Sequence, residues 1–464
     1  MKKYILLLSI IFAVTSCEVD ETLNIDKKNP TVVPASGLFS NAAINMFDLL
    51  NGWHANRLYA QYWAQTTYPE TSQYTQSGLR NNIWSSVYRN VLQDLKGARE
   101  IITEEGGADS AAQLGIINFM EVFAFSVLVD TYGNVPYSEA LDTDNASPVY
   151  DDASTIYADL LTRIDAAISS MGSGSGFSAG QDPIYGGDMS QWKKAANALK
   201  LRLAMRLADV NTSVAGQKAA EAAAGAIADN ADNFGLNYLP DAPNTNPVWV
   251  DLVQSGRIDY VGANTFIDVL NDLNDPRRPA FFETRDGVYS GGVYGTANAA
   301  SSFSAISNLM KKPDLKGNII SAAEVHFLLA EAAARGFNVP GTEADHYHAG
   351  IAASIEEWGG SATDVADYLA QESVAYETAT GDWKTKIATQ KWIAMYNIPY
   401  EGWTTWRLLD KPILNVVEGL TYGDIPTRIL YPTDEAQLNG TSLNAAISAI
   451  GGDLKTVKIF WDVN

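Results

Sequence analysis

Two short motifs could supply a serine nucleophile, but neither has the surroundings that this chemistry needs. The segment 176–180 (Gly-Phe-Ser-Ala-Gly) matches the G-x-S-x-G pattern of a nucleophile elbow. An elbow requires a strand before it and a helix after it, whereas this motif lies in a Gly/Ser-rich linker. Ser190 and Lys193 match S-x-x-K, but no S-D-N or K-T-G segment follows them. We therefore predict no serine-nucleophile chemistry, and no catalytic residue is assigned.

Histidine and carboxylate clusters are the candidates for metal binding. His346 and His348 have no third ligand at helical spacing, so we interpret them as exposed residues at a helix start. An acidic patch resembles the opening of a calcium loop, but the EF-hand pattern fails at Ser147 and Ala153. The patch consists of Asp142, Asp144, Asn145, Asp151 and Asp152. We expect no cofactor and no dedicated metal site, and leave an incidental calcium ion open.

Carboxylates could also catalyse glycoside hydrolysis, which needs a pair of them set across a cleft. The chain has 54 Asp and Glu residues, so the sequence can neither identify nor exclude such a pair. A glycoside hydrolase therefore remains an alternative from the residues alone.

Cys17 is the only cysteine among 464 residues, and it ends a short apolar leader. Two lysines at 2–3 precede the apolar stretch 5–14, which is far below the roughly 20 residues that span a bilayer. This pattern predicts an export signal. Residues 14–16 (Val-Thr-Ser) resemble a lipobox, in which the thiol receives a diacylglyceryl group and the leader is removed. Acyl chains contribute about 0.8 kcal/mol per buried methylene, so they would anchor the protein; a plain secretory leader is the alternative.

The charge balance excludes one class of partner. The formal net charge is −22, which repels phosphate backbones and anionic lipid, so we expect no nucleic-acid partner and no electrostatic membrane docking. The lipid on Cys17 would then provide the membrane attachment. Residues 18–21 (Glu-Val-Asp-Glu) resemble the signal that sends lipoproteins of Bacteroidetes-type bacteria to the outer face of the outer membrane. A solvated tether is the alternative.

Helical periodicity dominates the chain after the leader, and strand-like alternation is scarce. We predict a signal peptide at 1–16, an acylated cysteine and tether at 17–36, and a single mainly α domain at 37–464. Ser154 and Ser321 are the expected N-caps of two helices, and 321–336 with 345–358 has the length of a tetratricopeptide-like (TPR-like) pair. The predicted helices are 113–132, 154–171, 191–209, 321–336, 345–358, 384–396 and 433–438. The stretches 62–82, 232–264 and 275–320 are predicted to be irregular, and loops of this length are usually functional.

Several strings, in this order along the chain, identify a family. They are 130–137 (DTYGNVPY), 191–202 (QW to NALKLR), 324–331, 390–394 (QKWIA), 401–407 (EGWTTWR) and 426–432 (PTRILYP). Together they resemble the SusD/RagB family of outer-membrane nutrient-binding lipoproteins, and more closely its SusD-like branch. The resemblance runs from the lipobox to about residue 439.

The resemblance implies about four TPR-like helix pairs, with long irregular loops forming a ligand-binding face. It further implies a non-catalytic protein that binds oligosaccharides and delivers them to a SusC-like TonB-dependent transporter. A peptide-binding member of the family and a purely structural lid of the transporter are the alternatives to oligosaccharide binding.

Several large residues in these strings are interpreted as scaffold and not as ligand-binding residues. We interpret Arg202, Arg206 and Arg407 as buried arginines that pair with carboxylates such as Asp130 or Glu401. The tryptophans at 392, 403 and 406 are interpreted as core.

Aromatic residues in the irregular stretches are the candidates for stacking on sugar rings. In the family, such contacts come from an N-terminal loop and a later insertion, which match the first and third stretches by position. The predicted ligand-binding residues are Trp63, Tyr68, Tyr74, Trp249, Tyr289, Tyr294 and Phe303, with Arg80, Asn81 and Asn82 as further hydroxyl partners.

Overall fold

The structure, a computed structural model, describes residues 33–172 and 174–464. The predicted signal peptide, the lipobox at Cys17 and most of the predicted tether lie outside the described residues. The last part of the tether, 33–36, is described, and its residues from Ala35 onward already belong to the first helix.

Helices make up most of the described chain, as predicted, and their bounds are as follows. The α-helices are α1 (Ala35–Gly52), α2 (Ala55–Tyr59), α3 (Arg80–Ser85), α4 (Gln93–Glu105), α5 (Ser110–Tyr132), α6 (Ala153–Ser170), α7 (Met189–Arg206), α8 (Thr212–Ala223), α9 (Pro247–Trp249), α10 (Asn264–Asp272), α11 (Arg278–Phe281), α12 (Ala322–Ala334), α13 (Glu343–Glu357), α14 (Ala362–Leu369), α15 (Trp383–Ala394), α16 (Pro399–Leu409), α17 (Glu435–Leu438) and α18 (Gly440–Ala449). Two π-helical turns extend this set: Ser86–Leu92 joins α3 to α4, and Val250–Gln254 follows α9.

Side-chain capping starts several of these helices. Ser321 accepts a hydrogen bond from the backbone N–H of Glu324 and begins α12, as predicted. For α6 the predicted cap is wrong by two residues: the carboxylate of Asp152, not Ser154, accepts from the backbone N–H groups of Ser154 and Thr155. Aspartate is an equally good N-cap and its charge also complements the positive end of the helix.

In the described chain, consecutive helices pack as pairs, among them α5 with α6, α7 with α8, α12 with α13 and α15 with α16. The pair α12–α13 is the one that the sequence predicts at 321–358. Adjacent pairs pack on each other through α6 with α7, α7 with α12 and α12 with α15, so the pairs stack in series. This arrangement agrees with the predicted TPR-like architecture.

Helix α5 is long and apolar enough to cross a membrane by composition, the one such helix within the ranges that the structure describes. Most of its side chains are buried against the rest of the protein, among them Phe119, Val122 and Leu128. It is therefore a core helix, as the sequence predicts for 113–132.

A buried ionic cluster fixes four helices relative to one another. Arg202 on α7 donates to both carboxylate oxygens of Glu324 on α12, at 2.7 and 2.6 Å. One turn later, Arg206 donates to Glu401 on α16 at 2.6 and 2.8 Å and to Asp130 on α5 at 3.2 Å. All five side chains are at least nine-tenths buried. The predicted scaffold role of the two arginines, with Asp130 and Glu401 as partners, is confirmed.

The tryptophans of the family strings lie in the same core. Trp392 and Trp403 are completely buried, and the guanidinium of Arg407 lies over the Trp403 ring with its Cζ 3.8 Å from the ring centroid. Trp406 is buried as well, so the predicted core role of the three tryptophans is confirmed. Arg407 is buried as predicted, but the predicted carboxylate partner is wrong: its Nη1 donates to the backbone carbonyls of Asp130 and Thr427, and no carboxylate lies within 4.0 Å of it among the described residues.

Within residues 33–172 and 174–464, six short strands form three antiparallel pairs. The strands are β1 (Trp63–Gln65), β2 (Val135–Pro136), β3 (Tyr150–Asp151), β4 (Phe234–Leu236), β5 (Tyr260–Gly262) and β6 (Gly317–Ile320). They pair as β1 with β5, β2 with β3 and β4 with β6. Each pair is too small to be stable alone, so the helices must hold it in place.

Candidate functional site

The irregular stretches meet at one place because β1 pairs with β5. In this pair Trp63 lies opposite Gly262, and Gln65 lies opposite Tyr260. Isolated bridges continue the contact into the third stretch, where Ala305 pairs with Val261. Residues far apart in the sequence, from Trp63 in the first stretch to Ala305 in the third, therefore meet at one place.

Glycine allows one of these close approaches. A Cβ on Gly291 would lie 2.3 Å from the Cα of Asn264, and the neighbouring Gly292 forms a bridge with Ala263. A side chain at 291 would push the third stretch away from the start of α10. The role of Gly291 is therefore to let two segments of backbone approach each other.

Two adjoining cavities open on this surface. The first cavity has a volume of about 330 Å³, and its lining includes the segment 52–55, Asn82, Asp251, Arg257, Asp259 and Tyr260. The second cavity has a volume of about 430 Å³ and is lined by residues of the second and third irregular stretches. Both volumes are within the usual range of small-ligand sites. Tyr260 and Arg257 line both cavities, so these residues form the boundary between them.

The Tyr260 ring is held from one side by packed aromatic neighbours. Its centroid is 5.2 Å from that of Trp63 and 5.3 Å from that of His54. Burial raises the pKa of Tyr260 to about 12, so its hydroxyl is neutral at physiological pH. A neutral phenol on a rigid ring offers both a flat apolar face and a hydrogen-bonding group.

His54 and Asp251 form a polar pair in the wall of the first cavity. His54 Nε2 lies 2.8 Å from Asp251 Oδ2. Burial lowers the pKa of His54 although the hydrogen bond to Asp251 opposes the change, so the imidazole is neutral at pH 7. The proton then resides on Nε2 and is donated to Asp251, while Nδ1 faces Arg57 Nη1 at 3.5 Å. Asp251, whose pKa this hydrogen bond lowers, stays ionised and can accept hydrogen bonds at the cavity.

Tyr68 is the large aromatic side chain most open to solvent in the described part of the chain. It is 73% exposed, and its backbone has a φ of 52°, in the left-handed region that bulky residues rarely adopt. Gln65 holds this turn: its Nε2 donates to the Tyr68 carbonyl at 2.8 Å and its Oε1 accepts from the backbone N–H of Ser72 at 3.0 Å. A strained, rigid loop that presents an aromatic ring to solvent is typical of a functional position.

Comparison with known proteins identifies the family. The model of the SusD-like family described as "Starch-binding associating with outer membrane" matches residues 27–432. The chain belongs to the SusD-like family. The resemblance predicted from the sequence strings is thereby confirmed, and with it the association of the family with the outer membrane. Among curated proteins, no sequence matches the chain.

Solved SusD-like structures share the whole fold. A chitin-binding protein is 26% identical, with a TM-score of 0.82 over 93% of this chain and 100% of its own. A chitin-binding SusD homologue from Flavobacterium johnsoniae is 25% identical, with a TM-score of 0.80 over 93% and 99%. A SusD homologue from Bacteroides uniformis is 25% identical, with a TM-score of 0.81 over the same shares. The mainly α fold class is therefore confirmed.

Three of the seven predicted ligand-binding rings lie in the core of this SusD-like fold. Trp63 is completely buried and donates from Nε1 to the Tyr396 hydroxyl at 2.9 Å. Tyr74 is 2% exposed, and Tyr294 is 3% exposed with its hydroxyl donating to the carbonyl of Leu58 at 2.7 Å. The prediction that these rings present a free face is wrong, because the loops fold back and pack their large apolar rings against the helices.

The other four predicted rings retain exposed surface. Besides Tyr68, these are Trp249, Tyr289 and Phe303, which are half-buried. Tyr289 and Phe303 directly precede two serines whose backbones are hydrogen-bonded to each other. The backbone N–H of Ser304 donates to the Ser290 carbonyl at 2.8 Å. The guanidinium of Arg278 lies over the Tyr289 ring, with its Cζ 5.4 Å from the centroid. Their ligand contacts remain a prediction.

The three residues predicted to bind sugar hydroxyls, Arg80, Asn81 and Asn82, differ in their surroundings. Asn82 lines the first cavity, whereas the amide of Asn81 donates to Asp434 Oδ2 at 3.3 Å. Arg80 lines neither cavity.

Carboxylates of the acidic patch at 142–152 accept hydrogen bonds from nearby backbone N–H groups. The Asp151 Oδ2 atom accepts from the backbone N–H groups of Tyr137 and Ser138, and Asp152 caps α6. Within residues 33–172 and 174–464, no three His, Cys, Asp or Glu side chains converge as metal ligands.

Sequence reasoning missed His54, Asp251, Arg257 and Tyr260, the residues that build the two cavities. One signal was available: Arg257 to Tyr260 alternate charged and apolar side chains directly after Gly256, within an irregular stretch. The location of His54 opposite this segment depends on the pairing of β1 with β5, which no local pattern predicts.

Proposed function

We propose that this SusD-like protein binds an oligosaccharide across the two cavities and delivers it, without breaking a covalent bond, to a SusC-like TonB-dependent transporter. The observation that carries this proposal is the position of Tyr260, a rigid ring shared by two adjoining cavities. An extended chain of sugar rings would pass over that ring and occupy both cavities.

Polar groups around the ring suit the hydroxyls of a sugar. Asp251 is ionised and accepts hydrogen bonds, and the neutral Tyr260 hydroxyl can both donate and accept one. Asn82 offers both an acceptor and two donors on the same wall. Apolar ring faces with a few placed polar groups are the usual composition of a small-ligand site. The chitin-binding relatives and the starch-binding description of the family support the same class of ligand.

Tyr68 would supply a second aromatic platform at the rim, with Trp249, Tyr289 and Phe303 as further contacts. The first irregular stretch carries Tyr68, and it is fastened to the third stretch because Gln73 Nε2 donates to the Gly295 carbonyl at 2.9 Å. A rigid exposed ring loses little conformational freedom on binding, which favours capture.

The membrane attachment belongs to the same proposal. Cys17, after removal of residues 1–16, would carry the acyl chains, and the body would face the cell exterior above the transporter. The net charge of −22 supports attachment through lipid and not through basic side chains.

Calorimetry against a panel of oligosaccharides and peptides tests the function. The panel contains neutral chito- and malto-oligosaccharides, acidic oligosaccharides, and neutral and acidic peptides. We expect oligosaccharide binding with intact ligand recovered afterwards. Cleaved products would instead indicate a glycoside hydrolase, peptide binding alone would indicate the peptide-binding branch, and no binding across the panel would favour a structural lid.

The Tyr68→Ala variant tests the rim platform. We expect its Kd for the best-binding oligosaccharide to rise roughly tenfold, the loss typical of one aromatic anchor. The thermal midpoint should stay nearly unchanged, since the ring is exposed. Leu438→Ala is the matched control, because Leu438 is 68% exposed and lines neither cavity. Equal affinity in both variants would exclude Tyr68 from the site.

The Cys17→Ala variant tests the anchor. We expect the protein to move from the membrane fraction to the soluble fraction, because the acyl chains provide the attachment. Cell fractionation with immunodetection measures this, and retention in the membrane fraction would contradict lipidation at Cys17.

A further inference from the structure

The second cavity concentrates positive charge in a strongly acidic protein. Its lining includes three cationic side chains, Arg257, Arg285 and Lys311, and no carboxylate. The remaining lining is mostly apolar, with Leu252, Ile258 and Ile306. The chain as a whole carries a net charge of −22, so this lining is opposite in sign to the average surface. An opposite local charge within an apolar wall attracts anions to the cavity.

One of the three cations has no counter-ion. Arg257 pairs with Asp259 at 2.5 Å, and Lys311 lies 3.8 Å from Glu283. Arg285 has no carboxylate within 4.0 Å among the described residues, and its Nε is buried without a hydrogen-bond partner there. A buried donor left unpaired is costly, more so in a charged group. Because Arg285 also lines the cavity and has no counter-ion among the described residues, its guanidinium is the cationic group there that a ligand would pair with.

The backbone holds Arg285 firmly at this position. Arg285 and Val288 exchange two backbone hydrogen bonds, at 2.8 and 3.0 Å, around the turn residues Asp286 and Gly287. Both turn residues have positive φ, 51° and 81°, which is the geometry of a type I′ hairpin turn. Three residues earlier, Phe282 bridges to Ile306. A fixed backbone lowers the conformational cost of holding a ligand.

We infer that the second cavity binds an anionic substituent, a carboxylate or a sulfate, of the oligosaccharide whose neighbouring ring lies on Tyr260. This inference rests on the proposed function and specifies its ligand. The planar guanidinium of Arg285 matches the two oxygens of either group, and Arg257, although paired with Asp259, places further N–H donors at the boundary with the first cavity. Because Tyr260 lines both cavities, the anionic sugar and its neighbour are bound next to each other.

Calorimetry with four probes of matched length tests this inference: a uronic-acid oligosaccharide, a sulfated oligosaccharide, a neutral chito-oligosaccharide and an acidic peptide. We expect one of the two anionic oligosaccharides to bind at least about tenfold more tightly than the neutral one, and the more tightly bound of the two identifies the anion. Raising the salt from about 0.05 M to about 0.5 M should weaken this preference, because salt screens charges.

Variants at Arg285 separate recognition from folding. Arg285→Met should remove the preference for the anionic probe, about a tenfold rise in Kd, while leaving the neutral probe unchanged. Arg285→Lys keeps the charge and should retain part of the preference. Arg89→Met is the matched control, because Arg89 is exposed and lines neither cavity, and it makes the same change in net charge. Thermal midpoints of all variants show that they fold.

The outcomes distinguish the two proposals. Neutral and anionic oligosaccharides binding equally to the parent and to Arg285→Met would overturn the inference and leave the proposed function intact. Preference for the acidic peptide over every sugar would overturn both, as would no binding of any probe.

Discussion

Replacing Glu401 by alanine is expected to lower the free energy of unfolding by about 3–5 kcal/mol, the usual cost of removing one partner from a buried ion pair. Glu401 accepts two hydrogen bonds from Arg206, and its carboxylate also lies 3.6 Å from Arg202. Without it, two buried guanidinium groups lose a counter-ion, and α7 loses its ionic contact with α16. Urea unfolding monitored by tryptophan fluorescence measures the loss.

Glu418→Ala is the control for this change, because Glu418 is exposed and no cation lies within 4.0 Å of it in the described ranges. Its effect should stay within about 0.5 kcal/mol, as for most surface substitutions. Equal stabilities for the two variants would show that the cluster contributes nothing to the fold.

The same carboxylate gives the protein an acid-sensitive component of stability. Burial would raise the pKa of Glu401, but Arg202 and Arg206 outweigh burial and lower it to about 2, from 4.5 in the unfolded chain. A lowered pKa means that the stabilisation is complete above pH 4.5 and is lost as the pH falls from 4.5 toward 2. The difference between parent and Glu401→Ala should therefore shrink over that interval.

Replacing Trp63 by alanine is the second large effect that we expect, a loss of about 3–5 kcal/mol, because truncating a buried aromatic leaves a cavity. Trp63 is completely buried and packs against Tyr260, and the Arg57 guanidinium lies over its ring with the Cζ 4.9 Å from the centroid. Ligand binding should fall as well, because the Tyr260 ring loses a neighbour that holds it. Chemical unfolding and calorimetry on the same preparation separate the two effects.

Comparison of Trp63→Ala with Tyr68→Ala tests whether the predicted rings divide into core residues and exposed ligand-binding residues. Both residues belong to one irregular stretch, but only Tyr68 is exposed, at 73%. We expect Tyr68→Ala to impair binding without unfolding and Trp63→Ala to do both. A Trp63→Ala protein with parental stability would show that Trp63 is not part of the core.

If the second cavity prefers an anionic sugar, the acidic surface of the protein opposes the approach of that ligand. A protein with a net charge of −22 repels anionic sugars at a distance, so Arg285 would act only at short range. Affinity for such a ligand would then depend on contact in the cavity and not on electrostatic steering.

Helix positions and family membership were predictable from the sequence because both depend on local signals. Apolar periodicity and capping residues place α12 and α13 within a few residues of their bounds. The i, i+4 spacing of Arg202 and Arg206 places both on one face of a helix, which predicts charges that need partners, and Asp130 and Glu401 are two of them. Ordered strings along the chain then identify the SusD-like family.

The candidate site was predictable only as a region. Residue type marks Trp63, Tyr68 and Tyr74 alike as aromatics in a loop, and nothing in their spacing separates core from surface. Their burial depends on how the first irregular stretch pairs with β5, nearly 200 residues later, and on which rings the helices then cover. That long-range packing alone brings His54 against Asp251, makes Tyr260 the boundary of two cavities, and leaves Arg285 without a counter-ion among the described residues.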